Sequence, residues 1–268
     1  MTAPRRVAVA PLQAFVLHHW DWSETSLIVE LFTRERGRLA VAAKGAKRPY
    51  SQLRPVLVPF QRLLVQLGRT PQDEAAEVHL LRSAERAHGP PMPGGAALLA
   101  GFYLNELLLQ LLARQDPHEA LFDAYAQAVA ALQADDEDGV QLTLRSFELA
   151  LLRAMGVLPA LDQVTLTLRP LQGLQPYTLH AEAGVVPAEG ARAALPGADL
   201  VAIEQALAAA DGAALRAAVA PVRAALRAPL REMLHYHLGS SRLRTRRLMV
   251  ELHRLGQQHP PAHESTDA

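Results

Sequence analysis

Apolar residues in the first part of the chain come in short runs separated by turn residues. Ala14–His18, Ser26–Thr33 and Leu39–Ala43 are rich in Val, Ile, Leu and Phe and read as three strands. The longer run Val56–Leu67 reads as a fourth strand, with Pro59 assigning it an edge position or a bulge. Gly68–Asp73 reads as a turn, and Glu74–Leu81 as a fifth strand. Trp20–Ser26 is a polar turn whose Asp and Ser side chains can bond nearby amides, and Glu35-Arg36-Gly37 is a hairpin turn in which Gly supplies positive φ. Five strands in about 80 residues with no long helix between them predict a small closed barrel. The oligonucleotide-binding barrel has this size, but periodicity alone does not separate it from other small barrels.

The period changes after Ala87–Gly95 (AHGPPMPGG), a Pro/Gly punctuator that reads as a domain boundary. Ala97–Leu112 is apolar at helical spacing. Asp116-Pro117-His118-Glu119 offers an N-cap, Pro at the first position and Glu three residues on, starting a second helix that runs to about Gln133. Asp135–Asp138 reads as an acidic loop, and Val140–Met155 as a third helix with Arg145 and Arg153 at its surface. Three amphipathic helices on short connections predict a packed bundle. An irregular subregion, 157–198, follows: Val164–Leu168 pairs with Tyr177–His180, and Ala183–Pro187 turns. Helices resume at Asp199–Ala209, Gly212–Leu226 and Leu230–Leu238, and a last one opens after Gly239 and ends near Gly256. The fold class expected is α+β: a five-stranded barrel over 1–86, a helical domain over 95–256 and a disordered tail over 257–268.

Charge changes this picture from a fold to a surface. The 268 residues carry no net charge, yet Arg34–Arg69 holds nine basic residues against one acidic. Residues 70–215 hold seven against nineteen, and 216–254 nine against two. A polyanion meets one surface at a time, so a local excess of positive charge matters more than the sum. The densest piece is Lys44-Gly45-Ala46-Lys47-Arg48-Pro49-Tyr50, a Gly-containing basic loop between the third and fourth runs with an aromatic beside it. Lys44, Lys47 and Arg48, with Arg38 and Arg54, are candidate phosphate contacts. Trp20, Trp22 and Tyr50 are candidate base-stacking side chains, the Trp pair alternatively capping the barrel end. A second basic zone holds Arg242, Arg244, Arg246 and Arg247.

Other chemistry finds no support. The chain has no Cys, which excludes disulfides and thiolate-bound metals. It has no phosphate-binding Gly-x-x-x-x-Gly-Lys loop, and its eleven His are scattered. The expectation is therefore no enzyme, no metal and no cofactor. No charge-free apolar run of eighteen residues argues for a membrane span, and the N-terminus reads as a loose leader without a signal peptide.

Several pieces in order resemble a known family. They are Ala14-Phe15-Val16-Leu17, Trp22-Ser23-Glu24-Thr25-Ser26-Leu27, Leu31-Phe32-Thr33, Gly37-Arg38 and Ala43-Lys44-Gly45-Ala46-Lys47. Tyr103–Leu108, Leu144–Leu152 and Leu238-Gly239 followed by Leu243–Arg246 continue the match, which spans roughly residues 12–255. The chain resembles the bacterial DNA repair and recombination protein RecO family. The resemblance implies an oligonucleotide-binding barrel followed by a helical domain, binding of single- and double-stranded DNA, and annealing of complementary strands. It also implies recruitment by the C-terminal tail of the single-strand-binding protein and partnership with RecR to load RecA. No membrane, a monomer when alone and a cytoplasmic, nucleoid-associated location are expected alongside. By that resemblance the family's basic loop falls on Lys44, Lys47 and Arg48, its turn arginine on Arg38, and its near-terminal basic segment on Arg244 and Arg246. Arg145 and Arg153 are candidates for docking the acidic tail. The chain departs from the family where many members carry a four-cysteine zinc site, since Val164–Gly190 has none. Ser241, Arg242 and Arg247 stand where a basic residue, proline and an acid are usual. Set beside this reading are an RNA- or ribosome-binding barrel protein and a protein adaptor that does not touch nucleic acid.

Overall fold

The computed structural model describes residues 10–68, 77–87, 89, 92–133, 136–188, 194–239, 243–245 and 248. Five strands close into a barrel: β1 (Leu12–Asp21), β2 (Leu27–Thr33), β3 (Gly37–Ala43), β4 (Arg62–Leu67) and β5 (Val78–Arg86). Their order is β1-β2-β3-β5-β4, with β4 returning to β1, and the β3–β5 pair alone is parallel. Alternate residues point inward. Ala14, Val16, Val29, Leu31, Val41, Leu63, Val65 and Leu81 fill the interior, with Ala46 and Leu57 contributed by the segment between β3 and β4.

Two expected strand boundaries are corrected. Residues 51–60 fold into turns, so the fourth strand opens at Arg62 rather than Val56. Leu57 N–H donates to the Leu53 carbonyl (2.9 Å), Phe60 has φ +66°, and Pro59 makes a single bridge to Val16. The fifth strand runs from Val78 to Arg86, further than Glu74–Leu81, because pairing with β4 continues past a register shift at Arg82 to Leu63↔Arg86, burying Ala84 after His79 and Leu81. Residues 74–76 lie outside the described residues.

His79 carries a pH consequence. It is buried, and neither ring nitrogen has a hydrogen-bond partner among the described residues. Burial, and then the charge of Arg36, lowers its pKa from the usual 6.5. The folded barrel therefore holds His79 neutral, while the unfolded chain takes up a proton as pH falls below about 6.5. Its contribution to stability is present at neutral pH and is lost on acidification. Urea midpoints measured from pH 7.5 to 5 are expected to fall less steeply in His79→Leu than in the parent; parallel curves would refute this. A residual slope is expected from His18, whose pKa burial also lowers.

The remaining chain is helical apart from a small sheet. Helices α1 (Gly95–Leu111), α2 (Glu119–Ala131) and α3 (Glu137–Ala154) come first. Strands β6 (Pro176–His180), β7 (Gly184–Pro187) and β8 (Leu195–Pro196) follow, in order β7-β6-β8. Then come α4 (Gly197–Ala208), α5 (Gly212–Val219), a 3-10 turn (Ala220–Val222) and α6 (Arg223–Leu238). Of the acidic piece Asp135–Asp138 read as a loop, Asp136 to Asp138 form the head of α3, while Asp135 lies outside the described residues. The Asp136 carboxylate accepts from Gly139 N–H (2.9 Å), and Glu137 and Asp138 favour the positive end of the helix. Asp116 does not cap α2. Its carboxylate pairs with His118 Nε2 (3.2 Å), while Gln115 N–H reaches the Arg38 carbonyl, so the helix opens later, at Glu119.

Val164–Leu168 is a turn, and the expected turn at Ala183–Pro187 is instead mostly strand, with Gly184–Pro187 forming β7 against β6. Buried Leu179, Val185 and Leu195 pack this subregion into the helical core. Thr165 Oγ1 accepts from Val185 N–H (2.8 Å), and the Tyr177 hydroxyl accepts from Gln172 N–H (3.0 Å). The expected helix at Gly212–Leu226 breaks at Pro221, and α6 absorbs the next one by running through Pro229. The expected last helix and tail lie mostly outside the described residues.

The barrel and the helices share one core. Phe15, Leu17, Phe32 and Phe60 of the barrel pack with α1 to α6. Phe15 and Phe32 meet Phe122 and Tyr125 at ring-centroid distances of 5.0 to 6.1 Å. Asn105 Nδ2 donates to the Leu17 carbonyl (3.0 Å) and its Oδ1 accepts from Tyr125 (2.5 Å). At one edge Glu30, 1 % exposed, accepts from Arg114 Nε and Nη2 at 3.0 Å each and forms an ion pair with Arg38, whose Nε lies 3.2 Å away. Gly37, at φ +66°, lies so near the Asp116 carbonyl that a Cβ would stand 1.9 Å from its oxygen. Helical packing thus covers one side of the barrel and leaves the end bearing the loop after β3 open.

Candidate nucleic-acid interface

The loop after β3 is built around a plug. Gly45 (φ +72°) turns the chain sharply, which drops Ala46 into the barrel interior with no exposed surface. The neighbours are stitched to the β1–β2 turn. Lys47 N–H donates to the Thr25 carbonyl (3.0 Å), Gly45 N–H to Ser26 Oγ (3.4 Å), and Arg48 N–H to the Gly45 carbonyl (3.1 Å). Two loops separated in sequence therefore form one surface.

Lys47 does not project freely, as the sequence suggested. Its Nζ lies 2.9 Å from the Asp21 carboxylate and 3.3 Å from the Ser23 carbonyl, so it is a strut between the loops. Lys44, Arg48 and Arg54 are the exposed cations of this end. Tyr50 is 95 % exposed, and Trp22 58 %. Trp20, at the foot of β1, is also exposed and meets the His18 ring edge-on at 4.6 Å. The two Trp do not cap the barrel interior. Pro49, Tyr50, Gln52, Arg54 and Pro55 frame a shallow concavity within the loop after β3. Cations and flat rings on one end of the barrel can hold phosphates and stack bases without reading sequence.

Arg38 belongs elsewhere. It starts β3 while Lys44 follows its end, which separates them by about 20 Å along the strand. Its guanidinium turns into the junction, pairing with Glu30 and donating to the Leu109 carbonyl. Burial lowers its pKa, and Glu30 opposes that shift. The spacing around Gly37-Arg38 carried no sign that Arg114, distant in sequence and just past α1, shares the same carboxylate.

The tail-docking pair also separates. Arg145 is buried rather than at the surface, 2.7 Å from Glu148, which in turn accepts from the Tyr103 hydroxyl (2.8 Å). Arg153 binds Glu204. Neither lines the apolar groove that does exist between α2, α3 and α5. Ala124, Ala128 and Ala131 form one wall, Ser146, Phe147 and Ala150 the floor, and Leu215 and Arg216 the other wall. Arg216 donates to Thr143 at its rim.

In the near-terminal segment Arg244 is exposed, and its N–H is held by Glu106 of α1 (2.7 Å). Arg242, Arg246 and Arg247 lie outside the described residues. Among the described residues there is no group of three or more metal-ligating side chains, and no helix is long and apolar enough to cross a membrane.

Comparison with known proteins adds what geometry lacks. The family description "Recombination protein O N terminal" matches residues 10–85, and "Recombination protein O C terminal" matches 93–247. The chain is similar to the "DNA repair protein RecO" of Verminephrobacter eiseniae, 52 % identical over 258 residues, covering 95 % of this chain and 100 % of the relative. It is 50 % identical to that of Delftia acidovorans and 48 % to that of a Polaromonas species, covering 95 % and 94 % of this chain and all of each relative.

Proposed function

Because this chain belongs to the RecO family of bacterial DNA repair proteins, we propose that it anneals complementary DNA strands and is recruited by the single-strand-binding protein, acting with RecR to load RecA. The family's members are non-enzymatic mediators of DNA repair and recombination. The observation that carries the finer reading is the barrel end where Lys44, Arg48 and Arg54 share a surface with Trp20, Trp22 and Tyr50. The cations there neutralise bound phosphates and so reduce repulsion between strands, and the rings leave base edges free to pair.

Recruitment is assigned to the α2–α3–α5 groove. An acidic, apolar-ended peptide matches small apolar walls with a guanidinium at the rim. The basic barrel end favours nucleic acid over the adaptor reading, and the family favours DNA over RNA.

One experiment tests both parts. Annealing of complementary oligonucleotides is followed by fluorescence quenching, without ATP, on naked strands and on strands coated with single-strand-binding protein. The parent accelerates both reactions. Arg216→Ala retains the naked-strand rate and loses the coated-strand rate. No acceleration of naked strands by the parent refutes annealing; an unchanged coated-strand rate in Arg216→Ala refutes the groove.

A further inference from the structure

A carboxylate lies where a DNA-binding surface would be expected to exclude one. Glu106 is half-buried on α1 and accepts three bonds from one short segment: Arg244 N–H (2.7 Å), Thr245 N–H (3.0 Å) and the Thr245 hydroxyl. Arg244 and Thr245 are helical, so the two amides are donors with no partner inside their own turn. Glu106 thus does, from another helix, what a capping side chain does locally. Leu243 packs against the helical core just before them. The segment is pinned by an apolar anchor and a charged cap side by side.

The position of the pin matters. Phe102, one turn before Glu106, packs on Phe60 of the barrel (5.1 Å), and Asn105 beside it bonds the Leu17 carbonyl. Phe60 closes the segment that begins with the basic loop at Lys44. Glu106 is therefore on the side of α1 that meets the barrel, and Arg244 is held there, exposed.

We propose that Glu106 is a positioning residue for DNA binding: it fixes Arg244 against α1 at the barrel–helix junction, so that the phosphate track of the barrel continues onto the near-terminal segment. This rests on the reading of that segment as a DNA contact. Its distinguishing feature is the sign. Coulomb repulsion alone says that neutralising a carboxylate beside a DNA-binding arginine strengthens binding. A positioning role says that binding weakens, because the arginine loses its fixed place.

The test compares Glu106→Ala, Arg244→Ala and the double variant, using duplex binding at several salt concentrations. Arg244→Ala is expected to reduce the slope of log affinity against log salt by about 0.9. Glu106→Ala is expected to weaken binding and reduce the slope as much, and in the Arg244→Ala background to add nothing further. Amide exchange separates this from general unfolding: the Arg244 and Thr245 amides lose protection in Glu106→Ala while those of α1 keep theirs. Unchanged or tighter binding in Glu106→Ala, with Arg244→Ala still weakened, overturns the positioning role and leaves the segment a DNA contact. Undiminished binding in Arg244→Ala overturns the DNA reading of the segment, and the proposal with it. Retained protection of both amides in Glu106→Ala also overturns the proposal.

Discussion

A variant with Lys44, Arg48 and Arg54 all replaced by Ala is expected to lose most of its salt-sensitive DNA affinity while remaining folded. All three side chains are exposed, and no hydrogen bond or ion pair among the described residues depends on them. Surface charges of this kind cost no more than about 0.5 kcal/mol each when removed. Each duplex phosphate that the protein no longer neutralises takes about 0.9 from the slope of log affinity against log salt, so three take about 2.7. Between 50 and 200 mM salt that difference amounts to about fortyfold in how far affinity falls. The loss should be equal for sequences of different base composition, because phosphate contacts position and do not specify. Lys47 is left out of the variant deliberately. Its removal would free Asp21 and loosen the β1–β2 turn, so that a missing charge could not be told from an altered shape. Fluorescence anisotropy with labelled oligonucleotides measures the slope. The parent's slope in the triple variant would move the site away from this end of the barrel.

Glu30→Ala should destabilise the protein far more than any change at that basic end. Among the described residues Glu30 is the one acidic group paired with Arg38, whose guanidinium is mostly buried, and it also holds Arg114. Removing one partner of a buried pair leaves an uncompensated charge in a poor solvent, at a cost of about 3–5 kcal/mol. For a chain of this size that lowers the thermal midpoint by about 10 °C. Arg114→Ala should cost much less, because its side chain is 43 % exposed and Glu30 keeps Arg38. Added salt should not rescue Glu30→Ala, since a buried charge is poorly screened. Differential scanning calorimetry of the two variants decides it: a midpoint for Glu30→Ala within about 2 °C of the parent would mean that water reaches Arg38 and the junction is not sealed.

The barrel was legible because its code is local. Inward residues repeat with period two, and the turn at Gly37 and the sharp bend at Gly45 announce themselves by residue type. The helices were legible for the same reason, through apolar spacing along Ala97–Leu112 and Val140–Met155. What could not be read were the features set by the partners a side chain finds in the fold. Arg38 reads as a basic turn residue until Glu30 and the Leu109 carbonyl are seen around it. Arg145 reads as a surface cation in an acidic stretch until Glu148 and Tyr103 enclose it. Lys47 and Arg48 are neighbours of one charge type, and only the fold shows that Asp21 claims the first and leaves the second exposed. Val164–Leu168 alternates like a strand, yet β7 and β8 occupy the edges of β6 that it would have needed. The groove proposed above for tail docking has no motif at all. It is a gap between three helices with Ala124, Ala128, Ala131 and Ala150 among its lining, residues whose only individual property is being small.

The burial of Ala46 has a thermodynamic consequence for association. A surface loop is usually free to wander, and a ligand that orders it pays about 1–2 kcal/mol of lost entropy for each residue fixed. Here the middle residue of the loop is part of the barrel interior, and its flanking amides are already bonded to the neighbouring turn. The disorder was given up when the chain folded. Contact with a polyanion therefore starts from a preformed surface and draws its driving force from the counterions it releases. Calorimetry would register this as entropy-driven binding with little change in heat capacity, the signature of a rigid receptor rather than of a segment that folds around its ligand.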